Sequence, residues 1–237
     1  MLFFRSLVFN IFLYVFTALC SIVAMLLAAS NPRRLPTFAQ WWSRTWLAFY
    51  RKICGVSYAV RGQENIPAGG CIIAMKHQST WDTFALFAIF PEPVFVFKAE
   101  LAFIPIFGMA LKHLKCIAVK RGTGKIALDS MIQGTAAAIA QGKQVVVFPE
   151  GTRAAIDAPA TYKTGVSHVC HALQVSCIPV ALNSGLLWPK RKFLRPPGTV
   201  TVEILPAVPP GMQRKEIHSY LANEIETASR KLCKSSD

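Results

Sequence analysis

The sequence predicts an α/β fold with a mixed, largely parallel central sheet flanked by helices and preceded by an N-terminal two-helix membrane motif. From residue 56 onward, short apolar runs alternate with helical patterns, which is typical of strands joined by helical crossovers. Before them lies an uncharged segment that is long enough to span a bilayer. We therefore divide the chain into membrane-associated helices at residues 1–54 and an α/β domain at residues 55–237.

The composition favours a membrane surface as a partner. Lys and Arg number 26 against 12 Asp and Glu, which gives a formal net charge of +14, and 53% of the residues are hydrophobic. A chain that is both basic and apolar is suited to anionic lipid. Because no zinc-finger, RNP or basic-zipper pattern accompanies the charge, we expect no nucleic-acid partner. The seven cysteines are scattered without a CxxC pair, which predicts reduced thiols and no metal site.

The first apolar segment, residues 6–30, contains no charged residue. At about 1.5 Å per residue it is long enough to cross a hydrocarbon core of about 30 Å. A spanning helix, a helix buried obliquely in one leaflet and a cleaved signal peptide all remain open. The basic residues Arg33 and Arg34 follow it and favour the cytoplasmic side. We therefore expect a protein of the cytoplasmic (inner) membrane, with its functional site facing the cytoplasm.

The second segment, residues 36–54, has the pattern of an amphipathic helix. Its aromatic residues, including Trp41, Trp42 and Trp46, fall at helical spacing opposite basic ones. An ordinary amphipathic core helix would show the same pattern. Three tryptophans directly after a lipid-length helix favour a helix in the membrane interface, with the indole rings near the headgroups.

The elements after residue 55 follow from apolar patterning and from turn residues. We expect strands at residues 56–61, 71–75, 94–97, 115–121, 145–148, 175–182 and 199–204. We expect helices after the turn at residue 82, at residues 125–141, from about residue 165 to 173, and at residues 215–233.

The most informative stretch is CIIAMKHQSTWD, residues 71–82, in which a buried strand is followed by a predicted helix N-cap at Ser79. On a continuous helix His77 and Asp82 would lie about 140° apart, so His77 must occupy the turn before the helix. The first helical turn can then bring the carboxylate to one imidazole nitrogen and leave the other free to accept a proton. The alternative is a capping box formed by Ser79 and Asp82, with His77 as a polar loop residue.

A second polar turn, FPEGTR, follows the strand at residues 145–148. Gly151 lets backbone approach a ligand closely, and Arg153 can clamp a phosphate through paired hydrogen bonds. A solvated surface loop would have the same composition. Two other strands also end in cations, at Lys98 and at Lys120-Arg121. Because polar groups follow several strands, a functional edge of the sheet is favoured over a surface loop.

These motifs resemble those of the glycerophospholipid acyltransferases, and most closely the bacterial-type 1-acyl-sn-glycerol-3-phosphate acyltransferases. HQSTWD at residues 77–82 matches the family's HxxxxD box, and FPEGTR at residues 148–153 matches another box letter for letter. Lys120-Arg121 resembles the second box. Two positions depart from the pattern: Lys76 stands where the family often has Asn, and Lys120 stands where it usually has an acidic residue.

The resemblance implies transfer of a fatty acyl group from acyl-CoA or acyl-carrier protein to the sn-2 hydroxyl of a lysophospholipid, 1-acylglycerol-3-phosphate, making phosphatidic acid. His77 would be the general base, and Asp82 would hold and balance the imidazolium. Residues 55–237 would form the acyltransferase domain, without a cofactor or a metal. The residues that the resemblance assigns to substrate binding are Lys98, Lys120, Arg121, Glu150, Gly151, Thr152 and Arg153.

Two other functions remain open at this point. The same mechanism would serve another lysolipid acceptor, such as the lyso form of an amino-acid lipid. A non-catalytic basic membrane-binding protein would carry His77 and Asp82 incidentally. Cations at several strand ends favour an acceptor with a terminal phosphate.

Overall fold

The computed structural model describes residues 1–103, 107–120 and 122–235. The strands in this part of the chain are β1 (Val56–Arg61), β2 (Cys71–Met75), β3 (Pro93–Lys98), β4 (Ile117–Val119), β5 (Gln144–Val147), β6 (Cys177–Leu182) and β7 (Gly198–Ile204). The α-helices are α1 (Leu2–Ser30), α2 (Leu35–Cys54), α3 (Thr80–Ile89), α4 (Phe107–His113), α5 (Lys125–Ile139), α6 (Gly165–Leu173), α7 (Ser184–Leu187) and α8 (Arg214–Lys234). Short 3-10 turns lie at Pro32–Arg34, Gln63–Asn65 and Ala99–Phe103.

The strands form a seven-stranded sheet in the order β1-β7-β6-β2-β5-β3-β4. Strands β6 and β7 pair antiparallel, and the other neighbours pair parallel. The central strand β2 is buried at every position, which explains why its sequence is a continuous apolar run. Because β2, β3 and β5 run parallel, the segments that follow them meet at one edge of the sheet. The predicted fold class, a mixed and largely parallel sheet flanked by helices, is confirmed.

Strand β4 is shorter than the predicted 115–121. Lys115 adopts a left-handed backbone conformation with φ of 58°, which keeps it out of the strand. The N–H of Cys116 bonds to the carbonyl of Leu111 in the preceding helix rather than to a neighbouring strand. Residues 115 and 116, which were predicted to begin the strand, therefore belong to the turn after α4. The predicted phosphate-binding residue Arg121 lies outside the described residues.

Helices α1 and α2 pack antiparallel through aromatic side chains. The rings of Phe9 and Tyr50 lie 4.4 Å apart, and those of Phe12 and Phe49 lie 4.3 Å apart. Helix α1 is long and apolar enough to cross a membrane. Thirteen of its large apolar side chains are exposed, from Leu2 to Leu26. Soluble monomeric proteins rarely expose so many apolar side chains on one element.

The expectation that all three tryptophans of α2 lie near lipid headgroups is wrong for Trp46. Its side chain is fully buried, because this face of α2 packs on α3 and on the ring of Trp188, 6.1 Å away. Trp42 is half-buried and contacts Phe84 of α3 at 5.1 Å. Trp41 remains exposed, at 51%. Helix α2 is thus a core helix along one face and can meet lipid only along the other.

The loop between α7 and β7 also contacts α1. The guanidinium of Arg195 lies 4.5 Å from the centre of the Trp188 ring, and its backbone N–H donates to the Ser6 hydroxyl at 2.9 Å. Burial lowers the pKa of Arg195. The N-terminal half of α1 is therefore held against the α/β fold.

Candidate active site

The turn between β2 and α3 places His77 beside Asp82. Nδ1 of His77 lies 3.0 Å from Oδ2 of Asp82, whose side chain is fully buried, while the imidazole is 14% exposed. The same Oδ2 accepts the backbone N–H groups of Gln78 at 2.7 Å and Ser79 at 2.8 Å. An ionised carboxylate only accepts hydrogen bonds, so it selects the tautomer with the proton on Nδ1 and leaves Nε2 able to accept a proton.

The capping box that the sequence offered as an alternative is present as well. The Ser79 hydroxyl accepts a hydrogen bond from the N–H of Trp81 at 3.1 Å, and the Asp82 carboxylate accepts one from the N–H of Ser79. The two interpretations of this motif therefore do not exclude each other. The capping geometry is what fixes the carboxylate at the distance where it reaches the imidazole.

The FPEGTR turn and the residue after it hydrogen-bond to both the N–H and the carbonyl of His77. Glu150 accepts the His77 N–H through Oε2 at 2.8 Å, and the His77 carbonyl accepts the N–H of Ala154 at 2.9 Å. The Phe148 ring stacks on the imidazole with their centroids 4.0 Å apart. At Gly151 the backbone has φ of 67°, a conformation that favours glycine, and its N–H closes the turn on the Phe148 carbonyl at 3.0 Å. The two motifs thus form one unit.

A cavity of about 390 Å³ opens over His77 at the carboxyl ends of the parallel strands. Its inner wall is apolar and includes Phe97, Met131 and Phe148. Three cations also line it: Lys98, Arg153 and Lys163. The site therefore presents a proton acceptor, several positive charges and an apolar surface to one space, as a phosphate-bearing amphiphile requires.

The predicted substrate-binding residues fall into three groups. Gly151, Thr152, Arg153 and Lys98 line the cavity, and Arg153 is oriented by a 2.6 Å hydrogen bond from its Nη1 to the Thr80 hydroxyl. Lys120 is exposed at the end of β4 and is not among the described residues that line this space.

The third group is Glu150 alone, which differs from the expectation of a substrate contact. Its side chain is 2% exposed, and its two oxygens face Lys76 and the backbone of His77. Burial raises the pKa of the Glu150 carboxyl, against the hydrogen bonds and charge of Lys76, which lower it. Glu150 therefore supports the turn rather than facing the cavity.

Sequence reasoning missed three groups around this site. Lys163 lines the cavity from the segment before α6, although nothing in its local pattern distinguishes it from a surface lysine. Ser184, at the start of α7, donates its hydroxyl to the other oxygen of Asp82. Lys76 bonds to both Glu150 and Glu226. Only Lys76 gave a signal in the sequence, as a departure from the family pattern. Among the described residues, no group of three or more His, Cys, Asp or Glu is placed to hold a metal ion.

The sequence model of the acyltransferase family matches residues 57–183, more than half of the chain. The chain belongs to the acyltransferase family. A 1-acyl-sn-glycerol-3-phosphate acyltransferase of Pseudomonas aeruginosa is 38% identical over 167 residues, which cover 70% of this chain and 65% of that protein. The human 1-acyl-sn-glycerol-3-phosphate acyltransferase beta is 27% identical over 197 residues, 81% of this chain and 69% of that protein.

A solved structure shares the fold of this acyltransferase-family chain. The crystal structure of PlsC, the 1-acyl-sn-glycerophosphate (LPA) acyltransferase of Thermotoga maritima, matches with a TM-score of 0.73 over 98% of this chain and 95% of that one. The sequence identity is 22%, so the likeness concerns the architecture, including the N-terminal helices that the coverage takes in.

Proposed function

We propose that the chain transfers a fatty acyl group from an acyl thioester, acyl-CoA or acyl-carrier protein, to the sn-2 hydroxyl of 1-acylglycerol-3-phosphate, making phosphatidic acid. The observation that carries this proposal is the His77–Asp82 pair, at 3.0 Å, on the wall of a cavity that Lys98, Arg153 and Lys163 also line. The names of the curated relatives support the same reaction. The Pseudomonas relative is matched over 65% of its length, so activity, substrates and partners are part of this proposal.

In the proposed reaction Nε2 of His77 accepts the proton of the acceptor hydroxyl as its oxygen attacks the thioester carbonyl carbon. Asp82 balances the charge of the imidazolium that forms. The tetrahedral intermediate then collapses: the carbon–sulfur bond breaks, the ester bond remains, and the imidazolium returns its proton to the departing thiolate. No covalent enzyme intermediate is required, because the acceptor supplies the nucleophile.

The phosphate of the acceptor would be held by the cations of the cavity. Arg153 is preorganised by Thr80, and a guanidinium binds phosphate through paired hydrogen bonds. Lys98 and Lys163 add positive charge from β3 and from the segment before α6. Lys120 and Arg121 are part of this proposal on the family resemblance alone.

An apolar cavity beside the site is suited to an acyl chain. It measures about 180 Å³ and lies between α1, α2, α3 and α4. Thr83 and Phe95 belong to the walls of both this cavity and the one over His77. The two spaces are therefore adjacent, and in this proposal the acyl chain of a reacting carbonyl near His77 extends into the apolar cavity.

We further propose that residues 1–54 seat the active site, carried by residues 55–237, on the cytoplasmic face of the inner membrane. The exposed apolar surface of α1 and the basic residues Arg33, Arg34 and Arg44 support this seating. The lysolipid acceptor would then reach the cavity without leaving the interface completely.

The proposal is tested with purified full-length protein in liposomes, supplied with oleoyl-CoA with and without lysophosphatidic acid. We expect free CoA only with the acceptor, phosphatidic acid as the product, and a loss of about 100-fold or more in His77→Ala, the cost of a lost general base. His218→Ala is the matched control, because His218 lies on α8 away from the cavity. Equal rates in wild type and His77→Ala would refute the assigned base. Activity restricted to another lysolipid would refute the assigned acceptor.

A further inference from the structure

A buried lysine connects the active-site turn to the C-terminal helix. Lys76 is 3% exposed, and its Nζ lies 2.7 Å from Oε1 of Glu150 and also contacts Oε1 of Glu226 on α8. The hydroxyl of Tyr162 donates to the same Glu226 oxygen at 3.1 Å. A buried ammonium without such partners would be strongly destabilising, so the carboxylates are what allow a lysine here.

This group of charged side chains also contacts the backbone N–H of His77. One oxygen of Glu150 accepts Lys76, and the other accepts the His77 N–H at 2.8 Å. Contacts therefore run from Glu226 through Lys76 and Glu150 to the residue that carries the imidazole. Glu226 lies outside the segment that the family model matches, residues 57–183, although it contacts Lys76, the residue directly before His77.

Stability of the fold is a weak explanation for such an arrangement. Burying an ion pair costs desolvation energy that its attraction often only repays, and apolar residues of similar size frequently serve the fold equally well. Hydrogen bonds between charged groups are directional, whereas apolar contacts are not. Each donor therefore fixes the orientation of the acceptor that it faces. Here the direction that is fixed is that of the Glu150 carboxylate toward His77.

We infer that Lys76 and Glu226 are positioning residues for acyl transfer: through Glu150 they hold the backbone of His77 at the place where its imidazole serves the reaction. This inference rests on the proposed role of His77 as the base. It assigns helix α8 a part in the active site.

The first test compares Glu226→Gln with Glu224→Gln in full-length protein. Glu226→Gln keeps the shape of the side chain and removes its charge, so Lys76 is drawn to Glu150 alone. We expect kcat to fall about 10-fold to 100-fold with KM for lysophosphatidic acid unchanged, because a small displacement of a base costs rate rather than binding. Glu224 pairs with neighbouring Asn223 on the same helix, and its substitution is expected to leave both constants unchanged. A normal kcat in Glu226→Gln would overturn the inference.

The second test separates positioning from stability with Lys76→Met and the double variant Lys76→Met/Glu226→Leu. Lys76→Met leaves Glu150 and Glu226 near each other without the buried cation that both contact, and the Arg230 guanidinium, 3.9 Å from Glu226, is mostly exposed. We therefore expect both Tm and kcat to fall. Removing Glu226 as well relieves the repulsion, and we expect Tm to recover while kcat stays low. Recovery of kcat together with Tm would mean that the pair serves the fold alone.

Amide hydrogen exchange gives a readout that does not depend on catalysis. Glu226→Gln is expected to accelerate exchange of the His77 amide about 10-fold, as expected for one weakened hydrogen bond, while Glu224→Gln leaves it unchanged. If wild type transfers no acyl group but this acceleration occurs, the structural link stands and the proposed reaction is refuted. Unchanged protection of the His77 amide in Glu226→Gln refutes the link itself.

Discussion

The hydroxyl of Ser184 donates a hydrogen bond to Oδ1 of Asp82, the oxygen opposite the one that contacts His77. Asp82 thereby receives a donor on Oδ1 and, on Oδ2, three donors from the turn before α3. The carboxylate is held by the segments that follow two neighbouring parallel strands, because Ser184 follows β6 and the turn follows β2. Its orientation toward the imidazole therefore depends on two separate segments of the chain.

Ser184→Ala removes the only one of these donors that belongs to a side chain other than histidine. We expect kcat to fall about 10-fold, since a hydrogen bond to a charged group contributes about 1.5 kcal/mol and that energy corresponds to about a factor of ten in rate. Steady-state kinetics with oleoyl-CoA and lysophosphatidic acid measure this effect. Ser43→Ala is the matched control, because Ser43 is also buried and donates its hydroxyl to a backbone carbonyl of α3, that of Phe84, rather than to Asp82. Equal losses in the two variants would contradict the assigned role of Ser184.

Asp82→Asn separates the capping role of this residue from its role toward His77. Asparagine at this N3 position can keep an amide oxygen on the N–H groups of Gln78 and Ser79 and turn its NH2 toward the Ser184 hydroxyl oxygen, so Tm is expected to change little. The charge that balances the imidazolium is lost, and kcat is expected to fall 100-fold or more. Thermal unfolding and steady-state rates on the same preparation make the comparison. A large drop in Tm with an unchanged rate per folded molecule would instead indicate that Asp82 is only a cap.

The cations of the cavity should differ in their effect on acceptor binding. Arg153→Ala and Lys163→Ala remove charges that line the space over His77, and we expect KM for lysophosphatidic acid to rise about 10-fold in each, as for a lost charge-assisted hydrogen bond. Lys231→Ala is the matched control, because this lysine is exposed on α8 and is not among the described residues that line the cavity. Saturation curves at constant ionic strength measure the three values. An effect from Lys231→Ala as large as that from Lys163→Ala would contradict the assigned role of the cavity cations.

The parts of the fold that depend on local pattern were predictable from the sequence. The continuous apolar run of β2 and the capping residue Ser79 defined a strand, a turn and a helix start, and these fixed where His77 had to lie. Strand β4 was less predictable, because the left-handed conformation of Lys115 comes from the turn after α4 and has no sequence signal at a lysine.

Contacts between segments that are distant along the chain could not be predicted from the sequence. Ser184 is 102 residues from Asp82, and Glu226 is 150 residues from Lys76, so no spacing rule relates them. Trp46 was misplaced for a related reason: an aromatic residue on an amphipathic helix suits both lipid and a protein core. Only the packing partner, here α3 and Trp188, decides between the two.

Stability should depend on pH through Glu150. Burial raises the pKa of this carboxyl in the folded state, so the folded protein binds the proton more tightly than the unfolded chain does. The stability that Glu150 contributes is therefore greatest below the ordinary carboxyl pKa and declines as pH rises from there through the raised pKa. The groups that face Glu150 are Lys76, Glu226 and Tyr162.

Glu150→Gln removes this dependence, and Tm measured across the acidic to neutral range tests it. We expect Tm of the variant, relative to that of wild type, to increase as pH rises through this window. Glu224→Gln controls for the loss of any acidic residue from the same chain. Parallel curves of Tm against pH for wild type and Glu150→Gln would show that the carboxyl does not take up a proton on folding.

Filling the apolar cavity should change the acyl chain that the protein prefers. Ala39 of α2 lines this space of about 180 Å³, and a phenylalanine at that position would occupy part of it without displacing the sheet. We expect Ala39→Phe to lower the rate with oleoyl-CoA more than the rate with decanoyl-CoA, because the longer chain needs the deeper part of the cavity. The ratio of the two rates is the measurement, so any general loss of folded protein cancels. Ala48→Phe is the matched control, because Ala48 lies on the exposed face of the same helix. If both variants keep the wild-type ratio, the acyl chain lies elsewhere, and the proximity of this cavity to His77 through Thr83 and Phe95 has no role in substrate choice.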